Sequence, residues 1–218
     1  MTSAPERRYD YVTDPSEIYR RSFSIIRSEA DLSGLSEGMR PVVVRMIHAC
    51  GDVDLVNDLA FHPRLVFAVR TALARRAVIF TDTHMLAAGI TRRRLPADNE
   101  VVCLLDDSRA RELAHGWGTT RSAAAVSLWR ERLAGAVVAI GNAPTALFHL
   151  LELIADGSAP RPAAIIGIPV GFVGSAESKT ALTENPWDIP WLVVHGRRGG
   201  SALCAAAVNA LASESEIL

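Results

Sequence analysis

Five short apolar runs between residues 77 and 194 constrain the fold of this chain more than any other feature. The runs occupy residues 77–80, 101–104, 136–140, 163–166 and 191–194. Each is continuous rather than alternating, a pattern typical of strands that are buried on both faces. Helix-like stretches separate most of them, at residues 107–115, 122–133, 145–155 and 176–183, and an Ala-rich helix is predicted over 201–212. This alternation predicts an α/β fold with a mostly parallel sheet and helices on both faces.

Three further helices are predicted ahead of the sheet. The first begins at Asp14, where an acidic cap, a proline in the first turn and Glu17 at the capping-box position favour a helix start, and it runs to about residue 32. The second covers residues 36–50 and ends at Gly51, and the third begins near Pro63. No linker divides the 218 residues, so we predict one domain over 1–218, with residues 1–10 as a flexible tail.

The charge of the chain excludes two classes of partner. Its 23 basic and 24 acidic residues give a net charge of −1, which argues against a broad nucleic-acid or membrane surface. Lys179 is the only lysine among the basic residues. The three cysteines, Cys50, Cys103 and Cys204, form neither a disulfide framework nor a CxxC motif and are expected to be buried thiols. With no apolar signal region or membrane-length run, the expected location is the cytoplasm.

Polar and glycine-rich segments follow four of the predicted strands. They are Thr81–Asp82 and residues 141–145, 167–174 and 195–201. In open α/β sheets, ligands bind beyond the carboxyl ends of the strands, which places a site at these segments. The glycines before the last helix either present backbone N–H groups to an anion or form tight structural turns. Neither glycine run matches a dinucleotide fingerprint or a P-loop.

The six histidines show no spacing typical of a metal site. His48 lies in the last turn of a predicted helix, where the helix dipole favours the charged imidazolium. A capping or packing histidine is the alternative interpretation there. Position at a strand end favours His195 as the functional histidine instead. Arg121 opens a helix, where a cation opposes the dipole and therefore indicates a ligand, whereas residues 92–94 are expected to form a solvated loop.

Seven segments, in this order, resemble the precorrin-8X methylmutase family. The resemblance extends from about residue 11 to 212, and GNAPTAL together with PVGFVG is its most specific part. The segments are Tyr19–Phe23, Arg45–Ala49, Thr120–Ala124, Gly141–Leu147, Pro169–Gly174, Glu177–Lys179 and Gly196–Ser201.

The resemblance implies an α/β homodimer with its pocket near the subunit interface. It also implies migration of a methyl group from C-11 to C-12 of a corrin precursor, converting precorrin-8X to hydrogenobyrinic acid. A methyl shift of the 1,5-sigmatropic type needs no cofactor and no metal. The family's catalytic histidine matches His48, so the resemblance overrides the positional preference for His195, where the family often has arginine. Thr81 departs from the commoner pattern, which has cysteine before the aspartate.

The expected ligand is a tetrapyrrole polycarboxylate, which suggests roles for the remaining residues. His48 is the expected general acid. Carboxylate contacts are expected from Arg121, Arg197 and Arg198, polar contacts from Ser22, Asn142, Thr145 and Ser201, and backbone N–H contacts from Gly171, Gly199 and Gly200. Lys179 and Glu177 are expected to form an ion pair that holds the loop over residues 169–174.

Three alternatives stay open at this point. A cobalt-precorrin-8 methylmutase would perform the same shift on a cobalt-bearing substrate. A phosphate-binding α/β protein would use the glycine turns, although the phosphate motifs are missing. A corrinoid carrier would share the arginines and glycines of the pocket, and His48 is the feature that separates an enzyme from a carrier.

Overall fold

The computed structural model describes residues 5–216, so residues 1–4 of the predicted tail lie outside the described part of the chain. Within that range the chain forms nine α-helices and six strands. The helices are α1 (Pro15–Glu29), α2 (Arg40–Cys50), α3 (Leu65–Ala74), α4 (His84–Gly89), α5 (Ser108–Trp117), α6 (Arg121–Val126), α7 (Pro144–Ala155), α8 (Ser175–Thr183) and α9 (Ser201–Leu211). The strands are β1 (Leu59–Phe61), β2 (Ile79–Thr81), β3 (Val101–Cys103), β4 (Val137–Ile140), β5 (Ala164–Gly167) and β6 (Trp191–Val194).

The strands form one sheet in the order β1-β6-β5-β4-β2-β3. All neighbouring pairs are parallel except β1 with β6, so the predicted fold class is confirmed. Strand β2 lies between β3 and β4, which makes the gap between β2 and β4 the switch point of the sheet. Ligand crevices of doubly wound sheets open at such a point. The edge strand β1 was not predicted, because an apolar run of three half-buried residues is too short to indicate a strand.

Helices cover both faces of the sheet, as predicted. Along β4, Val137 and Ala139 pack into one core with α2, α3, α4 and α9. Val138 and Ile140 point the other way and pack with α6, α7 and α8. Both sets are fully buried, which explains why the run is apolar without alternation.

The ends of α1 and α2 can be compared with the capping and helix starts that the sequence predicted. The Asp14 carboxylate accepts the Glu17 N–H at 3.0 Å, as predicted. The Glu17 carboxylate pairs with Arg20 and Arg21 instead of completing the capping box. Helix α2 begins at residue 40 rather than 36, because a start at 36 would have put a proline in its interior.

Three other sequence predictions about local structure were wrong. Cys50 is exposed and Cys103 is half-buried, so only Cys204 is the buried thiol that was expected. Residues 92–94 form a short 3-10 helix rather than a solvated loop, and Arg94 is buried with its guanidinium bonded to two carbonyls near the end of the chain. The predicted helix 122–133 is divided, because the chain turns after α6 before a 3-10 helix at residues 130–133.

Across residues 5–216 no helix combines the length and the apolar character that crossing a bilayer requires.

A buried carboxylate joins the two central strands at the switch point. Asp82 follows β2 and accepts backbone N–H groups of Gly141, Asn142 and Ala143, at 3.0, 2.8 and 2.8 Å, where β4 ends. Burial raises the pKa of Asp82, and the three N–H groups oppose that rise. Gly141 lets α9 approach this turn, since a Cβ there would lie 2.9 Å from Ser201 Cα. The floor of the crevice therefore depends on Asp82.

We predict that Asp82→Ala lowers the free energy of unfolding by at least about 3 kcal/mol. The substitution leaves three N–H groups without their acceptor, and an unpaired buried donor costs roughly 1–3 kcal/mol. Urea denaturation at neutral pH measures the change. The matched control is Asp106→Ala, an exposed carboxylate beyond the neighbouring strand, which should keep the parental midpoint. A parental midpoint for Asp82→Ala would contradict the prediction.

Candidate active site

His48 lies in the last turn of α2 and faces α1. Its Nδ1 atom is 2.7 Å from the hydroxyl of Ser22 on α1. The rings of Tyr19 and Phe23 lie against the imidazole, with centroids 5.2 and 5.4 Å away. The hydroxyl and the two rings hold the imidazole in one orientation, as expected for a group that must meet a ligand in fixed geometry.

The surroundings of His48 act on its charge in two ways. Burial lowers the pKa of His48, and the nearby charge of Arg45 lowers it further. Both effects oppose the helix dipole, which favours the imidazolium at this position. Ser22 can satisfy Nδ1 as donor or acceptor.

Ser22 and His48 open onto a groove of about 410 Å³ between α1 and α2. Most of its lining is apolar and includes Ile18, Ile25 and Val53. Ile18 and Ile25 are 45% and 53% exposed, which is unusual for isoleucine on a packed helix. The groove thus combines one oriented histidine with an apolar wall, as ligand pockets commonly do.

Arg198 connects this groove to the carboxyl end of the sheet. Its guanidinium lies 3.1 Å from Asp52 and 3.2 Å from Asp58, which follow the end of α2. The loop after β6 is thereby fastened beside the helix that carries His48. Since two carboxylates already balance the charge of Arg198, it is less available to a ligand than the sequence suggested.

The glycine loops after β5 and β6 bond mainly to each other. The Gly171 N–H donates to the Arg197 carbonyl at 3.3 Å, and the Gly200 N–H donates to the Ile168 carbonyl at 2.9 Å. These two N–H groups, which were expected to bind a ligand, are used between the loops. At Gly199 a Cβ would lie 2.4 Å from the Ile168 carbonyl oxygen, so glycine is needed for the close approach of the backbones.

The other two arginines of the predicted set, like Arg198, are exposed at this edge of the sheet. Arg197 lies over the ring of Phe172, 4.9 Å from its centroid. Arg121 is the first residue of α6, and its guanidinium is 3.7 Å from the Asp106 carboxylate. Asp106 also lies 2.9 Å from His84. The carboxylate explains how a cation is tolerated at the start of α6, and both guanidinium groups are accessible to a ligand.

The remaining predicted polar residues take different positions. Asn142 is exposed and its side-chain amide makes no hydrogen bond to any residue in the range 5–216. The Thr145 hydroxyl lies 2.8 Å from that of Thr120, which caps α6. Ser201 is buried, with its hydroxyl 3.0 Å from that of Thr83. Asn142 and Thr145 are therefore exposed just beyond the carboxyl end of β4, whereas Ser201 joins α9 to the segment after β2.

The predicted ion pair between Lys179 and Glu177 is wrong. The Lys179 ammonium donates to the carbonyl oxygens of Gly196 and Arg198, at 2.9 and 2.6 Å. Lysine at residue 179 points into the protein because α8 buries that face, whereas residue 177 lies on a less buried part of the helix. The lysine thus holds the loop after β6 rather than the one after β5.

Sequence reasoning missed two contributors to the site. Tyr19 precedes Ser22 by three residues, a spacing that places both on one helix face and was the available signal. Arg45 lies one turn before His48 and changes its pKa, which only the packing reveals. His195, the rival candidate, is exposed, and within the described range its ring makes no hydrogen bond while its N–H donates to the Asp58 carbonyl at 2.7 Å.

Among residues 5–216 no group of three or more His, Cys, Asp or Glu side chains is arranged to hold a metal ion. The arrangement instead offers one oriented imidazole, exposed guanidinium groups and an apolar groove. It is suited to binding an acidic ligand with a large apolar body and to moving a proton at one point on it.

Comparison with known proteins agrees with this geometry. The family model described as precorrin-8X methylmutase matches residues 17–214. The chain is 59% identical to a precorrin-8X methylmutase of Sinorhizobium sp, covering 94% of this chain and 97% of that one, and 55% identical to one of Pseudomonas aeruginosa, covering 95% and 99%. It is 38% identical to a cobalt-precorrin-8 methylmutase of Salmonella typhimurium over 92% and 96%. A solved structure of precorrin-8x methyl mutase from Thermus thermophilus superimposes with a TM-score of 0.81 at 42% identity, covering 90% and 94%. The chain belongs to the precorrin-8X methylmutase family.

Proposed function

We propose that this chain is an isomerase that moves a methyl group from C-11 to C-12 of precorrin-8X and so forms hydrogenobyrinic acid in cobalamin biosynthesis. The observation that carries the proposal is the imidazole of His48, oriented by Ser22 at the edge of an apolar groove. Family membership indicates the substrate class. The exposed arginines carry positive charge that can pair with the carboxylates of such a substrate.

In this proposal His48 is the general acid. The methyl group breaks its bond to C-11 and forms one to C-12 within the same molecule, so no external methyl donor or acceptor is required. A proton donated to a ring nitrogen draws electron density through the conjugated system and lowers the barrier to migration. With Nδ1 engaged by the Ser22 hydroxyl, Nε2 is the nitrogen left to face the substrate.

The substrate itself helps to charge this acid. In the free protein, burial and Arg45 lower the pKa of His48. Acetate and propionate arms brought close to the imidazole oppose Arg45 and favour the imidazolium. In this proposal the bound substrate therefore favours the protonated form of His48.

Similarity supports the metal-free substrate over the cobalt-bearing one. The two relatives named for precorrin-8X are markedly more similar to this chain than the relative named for cobalt-precorrin-8. We therefore propose precorrin-8X as the substrate.

Carboxylate binding is proposed for Arg121 and Arg197, with Asn142 and Thr145 as nearby polar groups. The two arginines are exposed at the carboxyl edge of the sheet, and Asn142 has a free side-chain amide. Arg198 is proposed as a structural link, since Asp52 and Asp58 already neutralise it. Salt should weaken binding, because ion pairs at an exposed edge are screened.

We propose that the chain acts as a homodimer. The groove at His48 is small for a corrin precursor, and its rim carries exposed Ile18 and Ile25, a combination typical of a surface covered by a partner. A second copy packed near α1 would cover these side chains and enlarge the wall of the pocket. We also propose a single domain over residues 1–218 and a cytoplasmic location.

His48→Ala should abolish methyl migration while folding and product binding persist. General acid–base help is typically about 10²–10⁴-fold, so a loss of that order in single-turnover conversion is expected. The absorption spectrum after mixing with precorrin-8X reports conversion. Thermal unfolding reports whether the variant is folded, and titration with the product reports its binding affinity. His195→Ala is the matched control and should convert like the parent. Near-parental conversion by folded His48→Ala, or an unchanged bound chromophore with the parent, would favour a carrier instead.

Arg121→Ala should weaken binding of hydrogenobyrinic acid by about 5- to 100-fold, the range for one lost charge-assisted hydrogen bond. Arg197→Ala should behave alike. The control is Arg109→Ala, which removes an exposed arginine that pairs with its own neighbour Asp107. Fluorescence or absorption titration measures the affinities at fixed salt. Parental affinity in both variants would show that the carboxylates are anchored elsewhere.

Sedimentation at micromolar concentration should show a dimer, and Ile25→Glu should shift it to monomer. The substitution places a charge on the exposed apolar rim of the groove, where a partner would have to desolvate it. Phe67→Glu is the control, because Phe67 is 75% exposed on α3 and away from this rim. A parent that sediments only as monomer would overturn the proposal.

A further inference from the structure

The loop after β6 is fixed from the inside through three consecutive carbonyl groups. The Gly196 carbonyl accepts the Lys179 ammonium at 2.9 Å and the Ser175 hydroxyl at 3.5 Å. The Arg197 carbonyl accepts the Gly171 N–H at 3.3 Å, and the Arg198 carbonyl accepts Lys179 at 2.6 Å. Because the carbonyls are held inward, the two guanidinium groups are left on the outer side, one over Phe172 and one between two aspartates.

Lys179 is an unusual group to find in this role. Its side chain is completely buried, yet within residues 5–216 no carboxylate lies within ion-pair distance of its ammonium. Buried lysines are normally paired, because removing the charge from water is costly. Here two neutral carbonyls take the place of the missing acid. A leucine or methionine would fill the same space without that cost, so the charge itself has to be explained.

We propose that Lys179 is a positioning residue whose ammonium holds the loop of Gly196–Arg198 in the form that presents Arg197 at the site and keeps Arg198 between Asp52 and Asp58. The proposal rests on the function proposed above, since it assigns the loop to binding of the polycarboxylate. An ammonium has three donors and makes charge-assisted bonds to both carbonyls. A neutral amine has two weaker donors and a lone pair, which repels carbonyl oxygens.

The charge of Lys179 matters at neutral pH. Burial lowers the pKa of Lys179 to about 8, and Asp58 opposes that shift, so at pH 7 the side chain is mainly the ammonium. A pKa below the ordinary value for lysine means that the buried site binds this proton less tightly than water does, so a rise in pH does not by itself loosen the loop. The contribution of the charge is therefore tested by substitution of Lys179 at pH 7.

The first test measures the loop without ligand. Trypsin cleaves after arginine, so cleavage after Arg197 and Arg198, located by mass spectrometry, reports opening of this loop. Cleavage after Arg94, which is buried, serves as the reference for general unfolding. At pH 7 the ratio of loop to reference cleavage should be several-fold higher in Lys179→Met than in the parent, and Lys179→Arg, which keeps the charge, should lower it again.

The second test measures binding of hydrogenobyrinic acid at pH 7. Lys179→Met should bind at least about tenfold more weakly than the parent, and Lys179→Arg, which stays charged, should recover part of that affinity. Parental cleavage and parental affinity in folded Lys179→Met overturn the inference, as does weak binding that Lys179→Arg leaves unchanged. Should Lys179→Met fail to fold, Lys179→Gln, which keeps donors for the carbonyls without the charge, decides by the same two measurements. Absence of binding at pH 7 in the parent would instead count against the proposed function.

Discussion

The carboxylate of Asp82 is the interaction on which the rest of the structure depends. It bridges the ends of β2 and β4 by accepting three consecutive N–H groups of the turn at Gly141–Ala143. Because the sheet changes direction between these strands, the bridge sets the shape of the crevice floor. Helix α7 begins directly after the turn, and α9 packs against Gly141. The buried carboxylate of Asp82 thus fixes the position of the turn that carries Asn142 and of the first residues of α7.

The candidate site is assembled from two structural layers. The N-terminal helices supply the oriented imidazole and its apolar groove, whereas the loops after the parallel strands supply cationic side chains. Arg198 joins the layers, since its guanidinium binds Asp52 and Asp58 beyond the end of α2. In the proposed function, the helices carry the proton donor and the loops carry the carboxylate anchors. The imidazole is partly buried, whereas Arg121 and Arg197 are exposed.

The basic residues of this chain show why residue type alone is a poor guide to function. Arg94 is buried and bonds to carbonyls near the chain end, and Arg198 is neutralised by two acids. Arg197 and Arg121 lie at the same sheet edge but are exposed. Lys179 is buried and acts on backbone carbonyls. Each of these side chains is a cation. Burial and pairing with carboxylates or carbonyls determine whether it is accessible to a ligand.

The sequence by itself determined the α/β class and the five parallel strands, and through its resemblance to a known family it supplied the prediction of His48 as the catalytic residue. These follow from local signals: continuous apolar runs, capping residues such as Asp14, and motifs such as GNAPTAL. Only the tertiary structure decided the partner of Lys179, the engagement of Arg198 and of the N–H groups of Gly171 and Gly200, and the lowered pKa of His48. Each of these depends on groups distant in sequence, such as Ser22 with His48 or Asp58 with Arg198. Burial and electrostatic balance are sums over such neighbours, and no local pattern contains them.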